Sequence, residues 1–169
     1  MRITRKLLSI FIIFAVITCS LFALGCTEVD DETITIENES EQKDTETISL
    51  DEIINIEWQW SGLIETLPAS QSVVPDPENY TLVFLPDETY SIKADCNLGS
   101  GNYILEGNNL TLQPGPMTLA YCGPESLDNQ YVSLLGNVTA AELDDDQLVL
   151  FVGDMGDKML FINGGLIEQ

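Results

Sequence analysis

The sequence predicts a mostly β fold over residues 58–169, a compact antiparallel, barrel-like sheet with one packed α-helix. Three observations lead there. Short β-like runs recur through this part of the chain, turn-forming residues separate them, and one stretch breaks the pattern with apolar residues at helical spacing. A segment of this length is sufficient for a single domain with its own core.

The elements follow in order. Ile56–Leu67 is the first run, and Trp58 and Trp60 stand two apart in it, so on a strand they share a face. Tyr80–Leu85 and Thr89–Ala94 form the next pair, with Pro86-Asp87-Glu88 as the turn between them. Gly101–Glu106 and Asn109–Gln113 are joined through Gly107-Asn108, a hairpin-type connection. The exception is Pro124–Gly136, where Leu127, Tyr131, Leu134 and Leu135 fall at helical spacing. Pro124 stands at a first-turn position and Gly136 at a stop, so a helix is expected here. Val138–Leu143 and Gln147–Val152 follow, linked by Asp144-Asp145-Asp146, and Lys158–Asn163 closes the set. No period of repeat length recurs, which argues against a solenoid or propeller.

The region before the domain divides in two. Arg2, Arg5 and Lys6 precede Leu7–Gly25, 19 residues without a charge, and Ala23-Leu24-Gly25-Cys26 resembles a lipobox. Residues 1–25 therefore read as a lipoprotein-type signal peptide, with Cys26 as the lipidated residue. The apolar run is also long enough for a retained transmembrane anchor, and release as a secreted protein is the third reading. All three put the remainder of the chain outside the cytoplasmic membrane, and the first gives the protein a membrane partner through its lipid. Residues 26–57 carry 12 acids against Lys43, with no glycine or proline, and are expected to form a disordered acidic tether roughly 30 Å long.

Charge and cysteine content restrict the chemistry. The chain holds 28 Asp and Glu, 6 Lys and Arg and no histidine, for a formal net charge of -22. Such a polyanion does not neutralise phosphates, so nucleic acid is excluded as a partner. Without imidazole no Ser-His-Asp or Cys-His pair can be assembled, and the chain is expected not to be an enzyme. Cys96 and Cys122 are an even pair in an exported domain and read as a disulfide, worth roughly 3–4 kcal/mol on a chain-entropy argument. Two buried reduced thiols are the other reading. Zinc is disfavoured because two thiols lack the remaining ligands at any recognisable spacing. Asp144, Asp145, Asp146, Asp154 and Asp157 show no calcium-loop pattern and read as solvated turns, so neither metal nor cofactor is expected.

Several segments in order carry a resemblance. They are Trp58-Gln59-Trp60, Asp76-Pro77-Glu78-Asn79-Tyr80, Ile92-Lys93-Ala94-Asp95-Cys96-Asn97, Gly101-Asn102-Tyr103, Gly115-Pro116-Met117-Thr118-Leu119-Ala120-Tyr121-Cys122 and Pro124-Glu125-Ser126-Leu127. From about Trp58 to Phe161 the chain resembles a META domain, the HslJ-like family of small exported and lipoprotein domains. The resemblance implies a barrel-like antiparallel β-structure with a packed helix. It implies an envelope-associated role and no catalytic residues, because the family has no established active site. One departure lies in Asp144–Gln147, which lacks the glycine that often fills that hairpin turn.

The remaining candidates are binding positions. Trp58 and Trp60 read either as core packing or as a platform for a partner or apolar ligand. An acid beside a nucleophile at Asp95-Cys96 is outweighed by local backbone hydrogen bonding. Asn38, Asn79, Asn109 and Asn137 each begin an Asn-x-Ser/Thr sequon available to a glycosylating host. Function then reads as a non-catalytic, membrane-anchored extracytoplasmic protein with a partner-binding or envelope-stress role. One alternative is a protein inhibitor of a basic hydrolase such as a lysozyme or protease, the acidic domain supplying attraction. The other is a carrier of a small hydrophobic ligand in a barrel cavity.

Overall fold

The computed structural model describes residues 47–167. The leader, Cys26, Asn38 and most of the expected tether lie outside them. Nine strands and one helix are present: β1 (Ile56–Thr66), β2 (Ala69–Val73), β3 (Tyr80–Phe84), β4 (Thr89–Ala94), β5 (Asn97–Glu106), β6 (Asn109–Met117), α1 (Asp128–Leu135), β7 (Val138–Asp144), β8 (Gln147–Val152) and β9 (Asp157–Leu166). The alternation of side chains drives the pattern. In β4, Tyr90, Ile92 and Ala94 turn inward while Ser91 faces solvent, and in β6 Leu110 and Leu112 are buried between exposed neighbours.

Every strand pairing is antiparallel, and sequence neighbours are nearly always sheet neighbours. The order β1-β3-β4-β5-β6-β7-β8-β9 closes on itself through β1–β9, with Trp60 opposite Phe161 and Leu63 opposite Met159. β2 lies outside this ring. It continues along the edge of β1 that β3 leaves, with Leu63 opposite Ser72 and Glu65 opposite Ser70. The thinnest seam is β6–β7, where Asn109 pairs with Ala140 and the Ala141 amide donates to the Asn108 carbonyl at 2.8 Å.

Aromatic side chains fill the ring. Trp58 and Trp60 are each 1% exposed, and Tyr131 of α1 inserts between strands to stack on Trp60 at 5.4 Å and meet Tyr80 edge-on at 5.8 Å. Phe84 and Tyr103 form another edge-on pair at 5.0 Å, and Leu82, Leu148, Leu150, Met159 and Phe161 occupy the rest. Both indole N–H groups are satisfied by backbone, Trp58 donating to the Ile53 carbonyl at 3.0 Å and Trp60 to that of Gly62 at 2.9 Å. The reading of Trp58 and Trp60 as a partner-binding platform is thereby corrected: both rings are core. The carrier reading requires an open lumen, and among the described residues the interior of the ring is packed with core side chains.

Three further expectations change. The domain begins at least ten residues before Trp58, because Ile48 and Ile53 are buried in the core and the Asn55 amide donates to the Phe84 carbonyl at 2.9 Å. Residues 48–57 therefore belong to the barrel and not to the tether. Acids averaged over the whole segment concealed this, since Asp51 and Glu52 point outward in a short 3-10 turn at Leu50–Glu52 while Ile48 and Ile53 point in. β2 was absent from the expected runs because Ala69-Ser70-Gln71-Ser72-Val73 is exposed throughout and is held by backbone pairing to β1 and the Ser70 hydroxyl donating to Glu65 Oε2 at 2.6 Å. The helix starts at Asp128 and not at Pro124, the Leu127 amide being held by the Tyr80 hydroxyl at 2.9 Å.

Candidate functional site

The corner from β4 to β5 is held by a disulfide and a group of hydrogen bonds. Asp95 takes a left-handed conformation, φ 57°, which Asp tolerates better than most residues, and its amide donates to the Asn79 carbonyl at 2.7 Å. Cys96 follows and is bonded to Cys122, with Cα atoms 5.5 Å apart. This sulfur has no thiol to offer, so Asp95 and Cys96 do not form an acid–nucleophile pair.

Asn97 then turns its side chain inward at 2% exposure. Its Oδ1 accepts from the Ala120 amide at 2.7 Å and from the Thr118 hydroxyl at 3.2 Å. Its Nδ2 donates to the Ala120 carbonyl at 3.0 Å and to Asp128 Oδ2 at 3.2 Å, and lies 3.3 Å from Cys122 Sγ. An amide has two N–H bonds for these three acceptors, and the sulfur is the weakest of them. One side chain therefore ties β5, the loop 118–127 and the first residue of α1 together. Thr118 adds a second tie, its amide donating to the Leu98 carbonyl and its hydroxyl accepting from the Leu98 amide, both at 2.9 Å.

This clamp shapes a cleft of about 670 Å³ between the loop and α1, lined by Met117, Leu119, Tyr121, Pro124, Asp128 and Val132. At its rim Leu119 is 90% exposed and Tyr121 83% exposed. Leu119 and Tyr121, two residues apart, are thus held outward on a fixed backbone, on a domain whose described residues hold 18 acids against Lys93 and Lys158. Both lysines are engaged. Lys93 Nζ donates to Asn79 Oδ1 at 2.9 Å and to the Glu78 carbonyl at 3.1 Å, while Lys158 Nζ lies 4.9 Å from the Phe151 ring centroid.

The other sequence candidates are scattered. Asn109 and Asn137 are exposed, Asn109 opposite Ala140 at the β6–β7 seam and Asn137 just before β7, and Asn137 Nδ2 donates to the Ser133 carbonyl at 2.7 Å. Asn79 is half-buried and held by Lys93. Asp144, Asp145 and Asp146 border a shallow, open depression with Ile162 and Asn163, and Asp145 fills the left-handed turn position, φ 53°, that glycine often takes. Among the described residues no three carboxylates or thiols gather as a metal-holding group. Asp157 instead accepts from the Thr66 amide and hydroxyl, both at 2.8 Å.

Titration follows burial. Tyr131 is held well above the usual phenol range by complete burial, with a smaller contribution from Tyr90, and Tyr90 and Tyr103 are raised chiefly by the same cause. Asp87 is lowered by the hydroxyl and amide of Thr89. None of these groups lies at the cleft rim. Sequence reasoning singled out neither Leu119 nor Tyr121 as a binding position. The available signal was two apolar residues without periodicity inside the Cys96–Cys122 loop.

Among the described residues no helix is long and apolar enough to cross a membrane. The sequence model of the META domain matches residues 51–163. No curated protein matches the chain. Solved structures match at the level of fold: an NMR structure of a protein from Burkholderia xenovorans has a TM-score of 0.53 at 19% identity, covering 66% of this chain and 83% of its own. A crystal structure of a DUF4847 family protein from Bacteroides vulgatus has a TM-score of 0.52 at 11% identity, covering 69% of this chain and 96% of its own.

Proposed function

The chain belongs to the META domain family, and from that premise we propose that it is a non-catalytic, extracytoplasmic, membrane-anchored lipoprotein that binds a protein partner at the Leu119–Tyr121 rim. The observation that carries the proposal is the pairing of those two exposed side chains with a backbone already fixed by Asn97 and the disulfide. A pre-ordered apolar rim loses little conformational entropy on binding, and a central apolar anchor surrounded by polar groups is how interfaces concentrate affinity. Export is supported by the Cys96–Cys122 bond, since disulfides persist in oxidising compartments, and by the basic and apolar leader ending at Cys26. The lack of any histidine supports a binding role over a catalytic one.

Photo-cross-linking from position 121 in the native envelope tests the rim. One predominant adduct is expected, lost in Leu119→Ser. The same adduct pattern from position 106, on the exposed β5–β6 turn, overturns the assignment. Labelling with an alkynyl fatty acid reads the anchor, and Cys26→Ser is expected to abolish the signal.

A second reading is favoured by the charge: 18 acids against two engaged lysines among the described residues suit a basic hydrolase, which the rim would block. Inhibition of a lysozyme that weakens steeply with salt supports it, and no binding at low ionic strength removes it.

A further inference from the structure

Among the described residues, the strand edges without a neighbouring strand include the facing edges of β6 and β7 away from Asn109 and Ala140 and one edge of β2, and two of these contrast. One is the part of β6 beyond Asn109, which carries Pro114 and Pro116 and so has two missing N–H groups. Prolines on an edge are a usual way of preventing unwanted strand addition. The other edge is β2, which pairs only with β1. Within β2 there is neither proline nor charge, and all five residues are exposed.

The outward face of that edge can be read from the register. Val74 N donates to the Ser61 carbonyl at 3.0 Å, and Ser72 and Ser70 stand opposite Leu63 and Glu65. Alternate residues of an antiparallel strand exchange bonds with the same neighbour, so Ser70 and Ser72 bond to β1. Ala69, Gln71 and Val73 accordingly turn their N–H and C=O groups to the open side, where no second strand of the described residues pairs with β2. Leu67 at 75% exposure and Val73 at 82% place apolar side chains at the two ends of this row.

We propose that β2 accepts an extended, cationic segment of a partner protein as an added strand. Three outward donors alternating with three acceptors supply the backbone match, and the small side chains of Ala69, Ser70 and Ser72 leave room for the guest's alternating residues. Charge selects the guest. Glu65 lies at the end of β1 and Asp76 and Glu78 lie just beyond β2, while the described domain holds 18 acids against Lys93 and Lys158, so a second copy is repelled and a basic segment attracted. This surface is independent of the Leu119–Tyr121 rim: its donors are backbone groups of a different element.

The test uses the full chain in detergent and a fluorescent, acetylated peptide of sequence KVTVKVTVK, followed by anisotropy and by amide chemical shifts. Saturable binding is expected, with shifts centred on Ala69, Gln71 and Val73. A version of the peptide N-methylated at its fourth and fifth residues keeps its charge but loses donors on both edges, and is expected to bind at least tenfold more weakly. Gln71→Pro deletes an outward N–H while leaving the β1 ladder intact, and is expected to weaken binding by a similar factor. Leu119→Ser is expected to leave peptide binding unchanged, which separates failure here from failure of the rim. Equal binding of the methylated and unmethylated peptides means charge adherence alone and overturns the proposal, and this comparison needs no variant protein. A concentration-dependent dimer abolished by Gln71→Pro also overturns it, in favour of a second copy as the occupant.

Discussion

Replacing Asn97 by alanine removes every tie that the buried amide makes. Five contacts disappear together: the Ala120 amide and carbonyl, the Thr118 hydroxyl, Asp128 Oδ2 and the Cys122 sulfur. A net hydrogen bond contributes about 0.5–1.5 kcal/mol, but Ala120 is exposed and water replaces part of the loss, while Thr118 retains its Leu98 bonds. The bond to the Asp128 carboxylate then counts in full and the two Ala120 bonds in part, for a destabilisation of about 2–3 kcal/mol. Asn97→Asp is expected to be worse at neutral pH than Asn97→Ala, because a carboxylate of the same shape would face Asp128 and the Ala120 carbonyl with no proton to donate. Acidification is expected to narrow that difference, since protonation of the new carboxyl returns a donor. Urea unfolding followed by fluorescence of the buried Trp58 and Trp60 measures the loss, and hydrogen exchange reads the Ala120 amide directly. A change below about 0.5 kcal/mol with unchanged exchange at Ala120 would refute the clamp. So would a ranking with the aspartate variant the more stable at neutral pH.

Replacing both Cys96 and Cys122 by serine opens a loop of sequence separation 26 and is expected to cost about 3.5 kcal/mol on the chain-entropy relation, measured as a lower urea midpoint. Trp60→Ala empties the space between Tyr80 and Tyr131 and is expected to destabilise by about 3–5 kcal/mol, larger than any exposed-rim substitution. Tyr131, Tyr90 and Tyr103 are all raised by burial, so the folded state resists losing their protons. Stability is therefore complete below the unfolded phenol value of about 10 and is lost as pH rises through the folded values, which urea midpoints at successive alkaline pH values would follow. A midpoint unchanged well above that range would contradict the burial argument.

Side-chain alternation made most of the barrel legible. Thr89–Ala94 and Gln147–Val152 are strands over the same residues in sequence and structure, the first because its inward and outward positions alternate and the second because it is a short apolar run, buried at three successive positions, bounded by turn residues. The turns were legible for an equally local reason: Asp87, Asn108 and Asp145 tolerate or support turn backbones without help from distant residues. β2 was not legible, because Ala69–Val73 buries nothing and exists as a strand only where β1 supplies its hydrogen bonds. Residues 48–57 were hidden for the opposite reason, as Ile48 and Ile53 are core residues set among acids that dominate any window average.

The candidate site divides along the same line. Sequence alone determined that this chain concentrates acids, lacks imidazole and places two cysteines where they can meet, since these are properties of residues counted one at a time. Only the tertiary structure decided that Trp58 and Trp60 are interior while Leu119 and Tyr121 are exterior, because the direction of a side chain depends on which surface its backbone is pinned to. For Leu119 and Tyr121 the pin is Asn97, an amide more than twenty residues away, whose short polar side chain meets the loop only because the fold and the Cys96–Cys122 bond hold the two segments together.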